Sequence, residues 1–157
     1  MSRFTDALLV TPLSDGNTWI IESDFGYDVG IEGSGITVNV PIGFMTDFAS
    51  VPRIFWVIIP KWGKYGNAAV IHDWLYWSKN IMGKTITRKQ ADDIFREAMG
   101  ILEVPKWEIF CMYWGVRVGG WKAWSDNIKK QQNGVIKVTT PGVQLKATTS
   151  VKMLKHQ

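Results

Sequence analysis

Two histidines occur in the chain. One of them, His72, sits in the apolar string Ala69-Val70-Ile71-His72-Asp73-Trp74-Leu75-Tyr76. An imidazole near neutral pH can take up a proton or ligate a metal, and a neighbouring carboxylate can orient it. On a helix, His72 and Tyr76 share a face one turn apart, while Asp73 points about 100° away. The competing reading is a core histidine satisfied by a hydrogen bond. His156 stands near the end of a basic tail and has no comparable setting.

A second cluster lies upstream, in Thr46-Asp47-Phe48-Ala49-Ser50-Val51-Pro52. A carboxylate among apolar residues is costly unless a cation, a metal or backbone N–H groups meet it. Asp47 is therefore either a site residue or the acceptor of a local turn that Pro52 closes. Ser50 has no nucleophile elbow around it, which favours a structural role. Asp92 and Asp93 suit the start of a helix, where acids complement the dipole. Asp92 also borders the apolar stripe of that helix. Arg117 lies between Val116 and Val118. It can pair with a buried carboxylate such as Asp47 or Asp92, or act as a surface cation near a helix end.

These residues need elements to position them. The first third of the chain reads as antiparallel β: Leu8–Pro12, Thr18–Glu22, Phe25–Val29 and Ile36–Val40 are short β-branched or aromatic runs separated by turn-formers. Their spacing suits a small meander with one face on the core. Residues 41–66 are irregular yet apolar. Three helices are expected next. The first spans about 67–78, with Asn67 as its cap. The second has a capping-box spacing from Thr87 to Gln90 and a stripe of Ala91, Ile94, Phe95, Ala98, Met99 and Leu102. The third begins at Pro105 and runs to Val118, where Gly119-Gly120 ends it or admits a close neighbour. The fold class is α+β: a small N-terminal antiparallel sheet packed by about three helices, with a C-terminal extended or β arm. The domain division is a body over 1–132 and a basic arm over 133–157.

Composition bounds the function. With 157 residues, 46% of them hydrophobic, the chain can build one real core. One cysteine, Cys111, excludes an internal disulfide and a cysteine-built zinc cage. No apolar run reaches membrane-spanning length, and the N-terminal residues lack a secretory pattern. The net charge of +4 conceals two regimes. Residues 1–126 carry 14 acids against 12 bases, whereas 127–157 carry six lysines and no acid. The tail alternates apolar and polar residues, as a strand pairing with a sheet edge does. Nucleic-acid binding is not expected, because the body has no zinc-finger, RNP or helix-turn-helix pattern. Eight of the nine tryptophans fall between Trp56 and Trp124. Their dispersal over several elements favours core filling over a stacking surface for sugars or bases.

The strings Phe44-Met45-Thr46-Asp47-Phe48-Ala49-Ser50-Val51-Pro52 and Ala68-Ala69-Val70-Ile71-His72-Asp73-Trp74-Leu75-Tyr76, containing TDFASVP and HDWLY, resemble a family of phage and prophage proteins of unknown function. The likeness covers roughly 35–120. It extends to Arg88 with Ala91, Asp92 and Phe95, and to Met112-Tyr113 with Val116 through Gly120. It implies a phage origin and carries no established activity. The His72–Tyr76 string is also similar to the active-site helix of secreted phospholipases, but their disulfides and glycine-rich calcium loop are absent. HD-type metal phosphohydrolases need an earlier histidine, and none precedes His72; Asp47 and Asp92 would have to substitute.

The expected function is a virion- or tail-associated structural or assembly component. It would meet other phage structural proteins through 133–157, with Lys137, Lys146, Lys152 and Lys155 as contacts; a homo-oligomer stays open. The alternative is an envelope-directed hydrolase centred on His72, Asp73 and Asp47, with Tyr76, Asp92 and Arg117 in support. The sequence names no cofactor and no metal, and it leaves open whether the chain is an enzyme. The expected location is the virion or the host cytoplasm.

Overall fold

A computed structural model describes residues 3–47 and 65–140. Its elements run β1 (Val10–Pro12), β2 (Trp19–Ile21), β3 (Phe25–Asp28), β4 (Thr37–Val40), β5 (Met45–Thr46), α1 (Gly66–Ser78), β6 (Asn80–Ile81), β7 (Lys84–Thr85), α2 (Arg88–Ile101) and α3 (Lys106–Gln132). This is the expected α+β architecture, with antiparallel β-structure first and three helices after it.

The four expected strands form, but not as one meander. β2 is the centre of a three-stranded sheet in the order β1-β2-β5, and β3 pairs with β4 in a separate hairpin. The reason lies at the second edge of β2. There Ile21 N–H donates to the Phe44 carbonyl at 2.9 Å, and Gly43 N–H donates to the Ile21 carbonyl at 2.8 Å. β5 continues this pairing, with Ile20 opposite Met45 and Trp19 opposite Thr46. With both edges of β2 used, β3 must find its partner in β4, where Phe25 lies opposite Val40.

The return of the chain to this sheet involves the start of the C-terminal extension. Met45 N–H donates to the Lys137 carbonyl, and Thr139 N–H donates to the Gly43 carbonyl. Phe44 and Val138 form an isolated antiparallel bridge. Gly43 has φ +84°, and a Cβ built there would lie 1.8 Å from the Thr139 carbonyl oxygen. Only glycine allows this approach. Residues 137–139 are thus tied to the body, while residues 141–157 lie outside the described residues, as do Ser50, Lys146, Lys152, Lys155 and His156.

Ten of the thirteen residues of α1 are buried, including Ala68, Ile71, His72 and Leu75. A helix enclosed on nearly all sides shows little amphipathic pattern, because it has almost no solvent face. It packs against α2, α3, β4 and β5. Its start is not the expected one: Tyr65, not Asn67, occupies the cap, and no side-chain bond is made there. α1 ends at Lys79 in the left-handed region, with Lys79 Nζ donating to the Tyr76 carbonyl at 3.0 Å. The β6–β7 hairpin follows, turned by Met82 and Gly83 at φ 50° and 80°, the pattern of a tight two-residue turn. α2 has the expected capping box at Thr87 and Gln90, and Ala91, Ile94, Phe95, Ala98 and Met99 are buried. No helix among the described residues is long and apolar enough to cross a membrane.

α3 passes straight through Gly119-Gly120 and extends to Gln132. Gly120 serves packing, not termination. A Cβ on Gly120 would lie 2.4 Å from Tyr76 Oη, whereas one on Gly119 meets nothing within 4 Å. The aromatic ring of α1 therefore fits against α3 only because residue 120 has no side chain. Gly120→Ala is expected to destabilise the fold by about 1–3 kcal/mol through overpacking. Gly119→Ala is expected to leave it unchanged or to stabilise it by about 0.5–1 kcal/mol through helix propensity. Urea unfolding of the two variants checks the contrast.

Candidate functional site

The site is assembled from three helices. His72 and Tyr76, one turn apart on α1, both reach Asp92 on α2. His72 Nε2 lies 2.9 Å from Asp92 Oδ1, and Tyr76 Oη donates to the same oxygen at 2.6 Å. The other carboxylate oxygen, Oδ2, accepts from Arg117 of α3 at 2.7 Å and from Arg88 at 3.4 Å. Arg88 also donates to the backbone carbonyls of Val116 and Arg117, both at 3.0 Å. One carboxylate thus collects four side chains from α1, α2 and α3.

The centre of the cluster is sealed, with only its two arginines partly open to solvent. His72 and Asp92 have no solvent exposure, and Tyr76 has 1%. The imidazole stacks on Phe95 at a centroid distance of 4.6 Å and tilts against Tyr76 at 4.2 Å. Trp124 closes the far side of Tyr76 edge-on. Facing a carboxylate, His72 Nε2 carries the proton and donates. Its Nδ1 is buried and has no hydrogen-bond partner.

Electrostatics follow from this enclosure. Burial works to raise the Asp92 carboxyl, but hydrogen bonds and charge from His72, with Tyr76 and Arg117, outweigh it and hold the group below the ordinary carboxylate value. Tyr76 moves the other way, raised by burial and by its bond to the Asp92 carboxylate. Arg117 is raised by its hydrogen bond to Asp92. An ionised carboxylate and a neutral phenol are therefore the stable partners.

Asp73 belongs to a different face. It is 4% exposed and accepts a short hydrogen bond from Thr46 Oγ1 of β5. With Asp47, Gly119, Lys122, Ala123, Asp126, Asn127, Lys130 and Lys137 it lines a cleft of about 290 Å³. Asp47 is exposed. The expected set is thus divided. His72, Tyr76, Asp92 and Arg117 meet in the interior; Asp73, Asp47 and Lys137 meet at the cleft. The cause is the 100° step between successive helical residues, which turns His72 toward α2 and Asp73 toward β5. Of the two partners open to Arg117, the structure selects Asp92.

Three participants were not visible as site residues. Arg88 stands four residues before Asp92, a spacing that permits an ion pair on one helix face. Thr46 precedes Asp47, and only the β2–β5 pairing brings it to Asp73. Asn127 lines the cleft and donates to the Tyr76 carbonyl at 3.1 Å. Among the described residues no group of three or more His, Cys, Asp or Glu side chains is placed to hold a metal ion.

The buried hub has a pH signature. The Asp92 value in the folded chain lies below the unfolded value of about 3.9. Its contribution is present above about pH 4 and is lost as pH falls through the folded value. Asp92→Asn removes the buried anion that the partly exposed Arg117 and Arg88 meet and is expected to cost about 1–3 kcal/mol at neutral pH. It should also flatten the acid limb of the stability profile. Chemical denaturation at several pH values between neutrality and the acid transition measures both effects.

The chain is 35% identical over 102 residues to "Uncharacterized protein y4jT" of Sinorhizobium fredii (strain NBRC 101917 / NGR234). That match takes in 64% of this chain and 28% of the relative, so the chain spans well under half of the relative's length. No solved structure matches. Residues 19–116, from β2 into α3, match the family described as "Protein of unknown function (DUF1353)". The matched stretch holds His72, Tyr76, Arg88 and Asp92 and is more than half of the chain. The chain belongs to the DUF1353 family of proteins of unknown function.

Proposed function

We propose that the chain is a bacteriophage or prophage protein acting as a virion- or tail-associated structural or assembly component. The observation that favours a structural over a catalytic role for the His72 cluster is the zero exposure of both His72 and Asp92, bonded to each other among three helices. A base that neither solvent nor substrate reaches has no reacting atom to serve. The polar network that joins three helices through Asp92 favours one arrangement of them, although His72 Nδ1 is left without a partner. The likeness of the TDFASVP and HDWLY strings to phage and prophage proteins supports the phage part. The lysine-rich extension supports the assembly part. Its first residues lie on the β2–β5 side of the body, and the contacts with other phage structural proteins are assigned to Lys137, Lys146, Lys152 and Lys155.

A chain ending at residue 140 keeps the 137–139 bonds to the body. It is expected to unfold at the same denaturant midpoint as the full chain, yet to be absent from particles released on phage induction. Gradient sedimentation and immunodetection of the particles read this out. Equal incorporation of the truncated and full chains would remove the role of the arm. Absence of the full chain from particles would remove the structural reading.

The second reading, an envelope-directed hydrolase, has one specific observation in its favour: the cleft that joins Asp73 and Asp47 to Lys122, Asp126 and Lys130. Asp73 forms part of its wall from the buried side, and Asp47 from the exposed side. In this reading these two carboxylates carry the chemistry, and the His72 cluster supports the helix beneath them. Release of soluble fragments from purified cell-envelope material, lost in Asp73→Asn and Asp47→Asn variants that keep their far-UV circular dichroism, is the outcome that favours it. No release by the full chain, with or without added divalent cations, sets it aside.

A further inference from the structure

The core-filling expectation does not hold for all the tryptophans. Trp107, Trp114 and Trp121 are 54, 52 and 62% exposed on α3. They are spaced seven residues apart, and Ile128, also exposed, continues the series. Phe110 and Val118, 65 and 74% exposed, fill the intervening turns. Together they form one apolar stripe over six turns of a 27-residue helix. Soluble monomers rarely leave a contiguous apolar surface of this size open.

A seven-residue period keeps one apolar row, the seam, facing the same partner along the helix, while the alternate half-heptad residues Arg117 and Trp124 are engaged within the chain. Six such side chains supply roughly 800 Å² of surface, the share that one partner contributes to a standard-size interface. The charges say which helix fits. Glu108, Lys122 and Lys129 are themselves spaced by multiples of seven, so they run in one row, each one residue after a seam position and about 100° round the helix from it. The row is acidic at the N-terminal end and basic at the C-terminal end. A two-fold axis across the stripe makes the helices antiparallel and sets like flank against like flank. Glu108 of one copy then meets Lys129 of the other, twice, and the helix dipoles oppose. Parallel pairing would instead place the ends bearing Lys122, Lys129 and Lys130 side by side.

We infer that this face is covered by a second copy of the chain, through an antiparallel α3–α3 dimer centred near Val118. The inference rests on the α3 stripe and is independent of the assembly reading. Light scattering on the full chain at up to about 100 µM should give twice the 17.8 kDa chain mass. Trp114→Glu combined with Trp121→Glu should give a monomer with unchanged far-UV circular dichroism. Glu108→Lys should weaken association at least tenfold, and Glu108→Lys with Lys129→Glu in the same chain should restore it. In a Cys111→Ser background, Glu108→Cys and Lys129→Cys proteins should cross-link on mixing and not separately. A full chain that stays monomeric, a dimer untouched by the tryptophan changes, or cross-linking of either cysteine variant alone would overturn the inference.

Discussion

The Asp92 carboxylate is the constraint on which the helical half of the molecule depends. It is fully enclosed, so it persists as an anion only because His72, Tyr76, Arg88 and Arg117 all direct donors at it. Those donors come from every helix. To satisfy one charge, α1 must present a given face to α2, and α3 must bring Arg117 alongside both. Apolar packing alone tolerates many arrangements of similar burial; a buried anion with directional partners admits few. Arg88 extends the constraint to the backbone of α3 by donating to the Val116 and Arg117 carbonyls.

A second carboxylate ties this helical unit to the β-structure. Glu97, on α2, accepts from Tyr27 Oη at 2.9 Å, from Gly30 N–H at 2.9 Å and from Arg3 at 3.1 Å. The β3–β4 hairpin is thereby held to the helix that carries Asp92. Phe4, Phe25 and Tyr27 pack together beside it, with Phe4 stacked on Phe25 and tilted on Tyr27. Between these two polar fixtures lies a continuous apolar core that runs from the strands through α1 to α2 and α3. Gly120 is the matching concession: it leaves room for the Tyr76 ring, without which the Tyr76–Asp92 bond has no place.

Much of the fold was legible. The strands near 10–12, 19–21, 25–28 and 37–40 announced themselves by β-branched runs between turn-formers, and α2 by its capping box and stripe. These are local signals, decided by residues within a turn or two. α1 was legible in extent and not in start, since Tyr65 and not the capping-type residue Asn67 stands at its N-terminus. The β6–β7 hairpin and β5 are two residues per strand, too short for any period to register. The pairing of β5 with β2 joins segments more than twenty residues apart, and nothing local encodes it.

Residue type and spacing set which side chains are chemically capable and which elements carry them. His72 and Tyr76 on one helical face, Asp92 beside an apolar stripe and Arg117 among valines are all consequences of spacing. The tertiary structure alone decided how that set divides. His72 and Asp73 are adjacent in the chain, yet one is sealed against α2 and the other opens toward a cleft with Asp47, because a helix turns neighbouring side chains apart and the surrounding elements differ. It also decided that three tryptophans of α3 face outward. Their spacing was as compatible with core as with surface, and which side of a helix is buried depends on where its neighbours lie.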